Sequence, residues 1–164
     1  MNPEPDVIDA IAGLVPDSSL WRLRRQRPDV VRHSQASYDA LIRPRELGAV
    51  SLAERAAMAL RVAVLNGDPD LGDHYRALLA ERDPDGRFAA FDGAGDEPDA
   101  RLAAIRCHVD RVATAPRTAT QAHIEELERH GVGAREIVTI SQLVAFVSYQ
   151  ARVLAGLRLL RETP

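Results

Sequence analysis

SLAERAAMALRVAVL, from Ser51 to Leu65, is the stretch that decides the fold. Ser51 and Glu54 have the spacing of a capping box, in which the serine oxygen takes the Glu54 N–H and the Glu54 carboxylate returns to the Ser51 N–H. Beyond it Ala56, Ala57, Leu60, Val64 and Leu65 recur at helical spacing, and Met58, Ala59, Val62 and Ala63 fill much of the remaining surface. Only Glu54, Arg55 and Arg61 are charged. A helix this apolar belongs at the centre of a bundle rather than on its surface. Asn66-Gly67 ends it.

On the N-terminal side, Pro5 to Leu14 reads as a first helix, with Asn2 or Glu4 near its start and Pro16 after its end. Asp17, Ser18 and Ser19 offer caps for a short helix over Leu20 to Arg25. Pro28 suits the first turn of a third, to Ile42, with Val30, Val31, Tyr38, Leu41 and Ile42 on its apolar side. The basic run Arg22, Arg24, Arg25 and Arg27 reads as a solvated face or helix end. On the C-terminal side, Asp68-Pro69 starts a helix to about Glu81, striped by Leu71, Tyr75, Leu78 and Leu79. Residues Asp83 to Pro98 read as a loop with a turn around Phe88 to Phe91, the two phenylalanines half-buried, and a loop of this length is suited to covering a cleft. Asp99 to Thr114 is a helix. Thr118 and Gln121 have capping-box spacing for a helix from Ala119 to His130, and a long helix follows from Ala134 to Leu160. Its start resembles that of the central helix, with Ala53 to Val64 matching Ala134 to Ala145 as a weak internal repeat. No run alternates like a strand. The expected fold is all-α, a single domain over 1–164 of about seven helices, with 1–47 as an N-terminal helical extension.

A chain of 164 residues buries roughly 70% of its unfolded surface. Hydrophobic residues make up 46% but aromatics only 4%, so Ala, Leu, Val and Ile must build the core. The net charge of -3, without a basic patch, argues against nucleic acid. A single cysteine, Cys107, excludes an intrachain disulfide. The opening MNPEPDVIDA has no basic run, so no signal peptide is expected. The most apolar segment, Ile137 to Leu160, is interrupted by Ser141, Gln142, Gln150 and Arg152 and does not read as a membrane span. A cytoplasmic protein is expected, and its surplus of apolar helix faces predicts a homo-oligomer.

Four groups of residues bear on chemistry. Cys107 reads as a small buried hydrophobe among Leu102, Ala103, Ile105 and Val109, with a reactive thiol aided by Arg111 as the alternative. Asp68, Asp70, Asp73 and His74 include an i,i+4 pair, Asp70 and His74, but two ligands do not make a site and first-turn acids are favoured by the helix dipole. No metal and no cofactor are expected. Glu54 has its capping role, with a catalytic carboxylate as the alternative. Ser141, Gln142, Ser148, Tyr149, Gln150 and Arg152 put polar groups into the most apolar helix, to pack against neighbours or to line a ligand pocket that Tyr38, Tyr75 and His33 complete.

The segments Gly48 to Arg55, Leu65-Asn66-Gly67 to His74-Tyr75, His130-Gly131-Val132 and Ile137 to Val153 are together similar to the carboxymuconolactone decarboxylase/alkylhydroperoxidase D-like superfamily. RRQRPDVVRHSQASY, Arg24 to Tyr38, and the ending QLVAFVSYQARVLAGLRLL more closely resemble its carboxymuconolactone decarboxylase-domain proteins. The resemblance covers nearly the whole chain and implies that family's helical fold and oligomers built by helix packing. Peroxidase members carry a glutamate on the central helix, a Cys-x-x-Cys at the start of the next, and a histidine four residues after the second cysteine. Matched through Asn66-Gly67, the cysteine positions fall on Asp68 and Leu71, the histidine on Tyr75, and the glutamate near Ala56. The resemblance thus implies a divergent member without the redox cysteine pair, one that binds a small molecule or a partner. The alternatives are a cofactor-free lyase or isomerase with His74 as acid or base, Glu54 being the other candidate acid–base residue, and Arg61 or Arg152 on a substrate carboxylate, or a one-cysteine hydroperoxidase using Cys107.

Overall fold

The helix that opens at Ser51 is the one the others surround. In a computed structural model, which describes residues 6–93 and 95–162, eight α-helices and two single 3-10 turns form one all-α bundle, with no strand among the described residues. The helices are α1 (Val7–Ile11), α2 (Ser19–Arg24), α3 (Pro28–Ile42), α4 (Leu52–Leu65), α5 (Pro69–Arg82), α6 (Ala100–Thr114), α7 (Gln121–Arg129) and α8 (Ala134–Glu162). The 3-10 turns are Ala89–Phe91 and Pro116–Thr118. Ala56 to Leu60, Val62 and Ala63 are all but sealed from solvent, and α4 packs against α5, α6 and α8. Its alanines leave no bulk between helices, which is how a core with seven aromatics in the whole chain closes.

The capping box forms as read: Glu54 N–H reaches Ser51 Oγ at 3.2 Å, and Ser51 N–H reaches Glu54 Oε2 at 2.8 Å. Glu136 closes the start of α8 in the same way, taking the Gly133 N–H at 2.8 Å. Arg101 of α6 stands between the two, with one N–H on Glu54 Oε1 and another on Glu136 Oε1, each at 2.6 Å. The two helix starts are therefore equivalent through Glu54 and Glu136, one residue out of step with the repeat as aligned from sequence.

The N-terminal helices are tied down by charge. Arg24 and Arg25, read as solvated, turn inward: Arg24 forks onto Asp6 at 2.7 Å and bonds Asp9, while Arg25 reaches Asp9 at 2.6 Å and lies 3.7 Å over the Trp21 ring. The reason is that Asp6 caps α1 and Asp9 follows one turn later, so both carboxylates are buried and need cations. α1 is shorter than Pro5 to Leu14. Gly13 adopts a left-handed φ of 59° beyond its end, while Asn2, Glu4 and Pro5 lie outside the described residues.

Two further expectations change. Thr118 does not cap α7; its hydroxyl donates to Ala115 O at 2.8 Å inside the 3-10 turn that Pro116 starts. The cap is Thr120, whose N–H donates to His123 Nδ1 at 3.1 Å. The 83–98 segment is pinned to the bundle. Phe88 and Phe91 are buried rather than half-buried, Arg61 and Arg106 hold the carbonyls of Gly93, Ala90 and Gly95, and Arg76 forks onto Asp92 at 2.8 Å.

Replacing Arg101 by Ala leaves two inward-facing carboxylates and two helix starts without their shared cation. We expect a loss of about 1–3 kcal/mol, read as a lower urea midpoint at unchanged slope, with Arg101→Lys only partly restoring it because an ammonium is a single point charge rather than a fork. A midpoint within error of wild type would show the bridge to be ornamental.

Candidate functional site

α5 buries Leu71, Tyr75, Leu78 and Leu79, which leaves His74, next to Tyr75, at the edge of that face where α3 passes. There His74 Nε2 and the Tyr38 hydroxyl are 3.0 Å apart. The imidazole meets the Tyr75 ring edge-on, 5.0 Å between centroids. Burial, and secondarily the Arg43 guanidinium, hold the His74 pKa below its ordinary value. Burial raises the Tyr38 phenol, against the pull of Arg43 and Arg82. Arg43 lies 5.6 Å over the Tyr38 ring. Behind them Tyr75, fully buried, donates to Gln150 Oε1 of α8 at 2.6 Å. Gln150 Nε2 is buried with no partner among the described residues. At neutral pH this is a neutral imidazole on a neutral phenol beside an arginine, a pair able to accept or pass one proton.

The other sequence-derived candidates stand apart from it. The Glu54 carboxylate is engaged at both oxygens by Ser51 and Arg101, and those bonds hold its pKa down against burial; no hydrogen bond or ion pair joins it to His74. Cys107 is exposed, not a buried hydrophobe. Its neighbour His108 takes the inward place instead, with Nε2 at 3.0 Å from Ser141 Oγ. Ser141 donates its own hydrogen to Ile137 O at 2.8 Å, so it accepts from His108, which makes His108 the Nε2–H tautomer. Asp68 caps α5 and binds Arg158 through both oxygens at 2.8 Å, Asp70 joins the same guanidinium at 2.7 Å, and Asp73 pairs with Arg76 at 2.7 Å. No group of three or more acids, histidines or cysteines is placed to hold a metal ion among the described residues. Arg61 is taken by a two-pronged bond to Asp110, both at 2.7 Å.

The polar residues of α8 do not converge on one pocket. Gln150 meets Tyr75, Ser141 meets His108, and Arg152 faces out. Tyr149 and His33 line a cleft of about 420 Å³ between α3 and α8, where Ser34 Oγ is buried without a partner among the described residues. Gln142 lines another, of about 360 Å³, between the 40–50 segment and the start of α8. Neither cleft touches His74, Glu54 or Cys107.

The second cleft holds a residue that sequence reasoning passed over. Arg55, 4% exposed, lines it and gives N–H groups to the carbonyls of Val50, Leu41 and Leu47 at 2.8 to 3.0 Å. A guanidinium has five N–H donors; three go to the backbone and no carboxylate pairs with this one among the described residues. Desolvation lowers its pKa. The available signal was that Arg55 is one of only three charged residues on the apolar central helix.

No family model matches the chain, and no curated protein matches it.

His74 and His108 share one consequence for stability. Burial lowers both below the ordinary value, so between the folded pKa and the unfolded one, about 6.5, the unfolded chain binds more protons. Their contribution is complete above about 6.5 and is lost as pH falls through that window. We expect urea midpoints to fall from pH 7.5 to pH 5.5, and the fall to flatten in a His74→Gln/His108→Gln double variant. An equally steep fall in the double variant would assign it to other groups.

Proposed function

We propose that this chain is a divergent carboxymuconolactone decarboxylase/alkylhydroperoxidase-like protein without redox cysteine chemistry. It works as a cytoplasmic homo-oligomer and binds a small anionic molecule. The observation that carries the binding is the Arg55 guanidinium, buried in the wall of a cleft that Glu46 and Glu136 also line, and bonded to backbone carbonyls with no carboxylate in hydrogen-bond contact among the described residues. A carboxylate or phosphate entering there gains a charge-assisted bond at a cation whose desolvation is already suffered in the folded state. The family part of the reading draws support only from an all-α bundle around an apolar central helix, and what occupies the motif positions supports the part without redox cysteine chemistry. Leu71, Tyr75 and Ala56 are core, and Asp68 is a helix cap bound to Arg158. Side chains so engaged have no part in peroxide reduction.

A second reading, a cofactor-free lyase or isomerase, is favoured by one observation, the Tyr38–His74 pair beside Arg43. A one-cysteine hydroperoxidase draws only on the exposure of Cys107; no base is bonded to it among the described residues, and His108 points the other way.

Two measurements test these readings. Thiol-dependent reduction of a small organic hydroperoxide is expected to be absent in both the wild-type protein and Cys107→Ala; turnover lost in the variant would overturn the binding reading in favour of the thiol. Titration with benzoate and with inorganic phosphate, followed at the Arg55 Nε–H resonance, is expected to move that signal saturably with one of the two. A resonance indifferent to both would refute an anion at this cleft.

A further inference from the structure

α8 is apolar on more sides than the bundle covers. Its most apolar 18-residue window has a mean hydropathy of 1.4, yet only 50% of that window is buried. By length and composition it is the one helix among those described that is able to cross a membrane. A helix apolar all round is normally covered all round. Much of its exposed surface runs along one stripe. Val138, Gln142, Ala145, Tyr149, Arg152 and Gly156 follow one another by four and three residues in turn, and Leu159 continues the series. This is the spacing of a helix seam. Val138 is 57% and Leu159 66% exposed, Gln142, Ala145 and Arg152 are exposed, and Tyr149 and Gly156 are half-buried. Ala145 and Gly156 offer no bulk to keep another helix away.

We propose that this stripe is the contact between two copies of the chain, α8 against the partner's α8, running antiparallel about a twofold axis between residues 148 and 149. The charges choose the direction. In a parallel pair Arg135 would meet Arg135 and Arg152 would meet Arg152, like against like. In the antiparallel pair Arg135 comes opposite the partner's Glu162, Arg152 opposite the partner's Ala145, and Val138 opposite the partner's Leu159. Every pairing occurs twice, as a twofold interface requires. Arg152 also comes within one turn of the partner's Tyr149, the arrangement of a cation over a ring. A lipid surface is the poorer occupant, because Gln142 and Arg152 lie in the middle of the stripe.

The inference rests on the oligomer of the preceding reading and gives it a surface. Light scattering behind size-exclusion chromatography, with the full chain at micromolar concentration, is expected to give a dimer. Ala145→Arg sets a cation opposite the partner's Arg152 and is expected to weaken dimerisation at least about tenfold. Its helical circular dichroism should be unchanged, because residue 145 is exposed. Adding Arg152→Glu to the same chain sets the introduced arginine of each copy against the introduced glutamate of the other and is expected to restore the dimer. A wild-type monomer overturns the oligomer and the interface together, and co-sedimentation of that monomer with vesicles containing anionic lipid would give the stripe to a membrane surface. A dimer that Ala145→Arg leaves intact overturns this interface alone. A monomeric Ala145→Arg chain that Arg152→Glu does not rescue overturns the antiparallel direction, since only there do positions 145 and 152 face each other.

Discussion

Arg101 joins two helix starts that chemistry would otherwise leave unsatisfied. The first turn of any helix carries N–H groups without intrahelical partners and a partial positive charge. In α4 and α8 a glutamate answers both needs by folding back on the backbone, Glu54 to Ser51 and Glu136 to Gly133. Each glutamate then has an oxygen to spare, and both spare oxygens point at one guanidinium. A fork-shaped cation satisfies two carboxylates at once, which fixes the spacing of α4 and α8 and sets α6 across them. The most buried helix and the longest one are aligned by a contact made at their ends, where water still reaches.

The same device recurs because the sequence has few aromatics to spend on anchoring. Arg24 closes α1 on α2 through Asp6 and Asp9, Arg158 ties the end of α8 to the start of α5, and Arg61, Arg76 and Arg106 hold the 83–98 segment. Bundles of alanine and leucine pack closely but slide easily, since their surfaces have little relief. Forked ion pairs at helix ends supply the direction that the core lacks. Arg55 departs from this pattern, because carbonyls rather than an acid surround it. It fixes the 41–50 segment, and Glu54 acts on its charge only through space.

What the sequence made legible was what is local. Pro28 at a first turn, Ser51 with Glu54, Asn66-Gly67 and Asp99 each act within four residues, and the helices they bound lie where those signals put them. Thr118 was misleading for a local reason too: Pro116 draws it into a 3-10 turn that uses its hydroxyl before a helix can. Of the site, the sequence singled out His74 and grouped Gln150 with Tyr38 and Tyr75, but which pairs form was not legible, because their bonds span the chain. Tyr38 meets His74 across 36 positions and Tyr75 meets Gln150 across 75. Nothing in either neighbourhood announces the other. The inward turn of Arg24 and Arg25 was hidden likewise, in two aspartates 15 to 18 residues away.

Cys107 and His108 illustrate why adjacency in sequence is poor evidence for a catalytic pair. Successive helical residues point about 100° apart, so only one of the two can face the core. A small apolar thiol is the natural choice by transfer free energy, yet the histidine is inside. It is kept there by what Ser141 offers. Having given its hydrogen to Ile137 O, the Ser141 hydroxyl is a pure acceptor, and the imidazole has an N–H to give. The exchange selects the neutral tautomer and leaves Nδ1 buried without a partner among the described residues. That orphaned nitrogen disfavours burial of His108. With the ring committed inward, Cys107 is left on the surface, with no base hydrogen-bonded to it among the described residues. The proton-accepting pair of the fold, His74 with Tyr38, sits on another pair of helices.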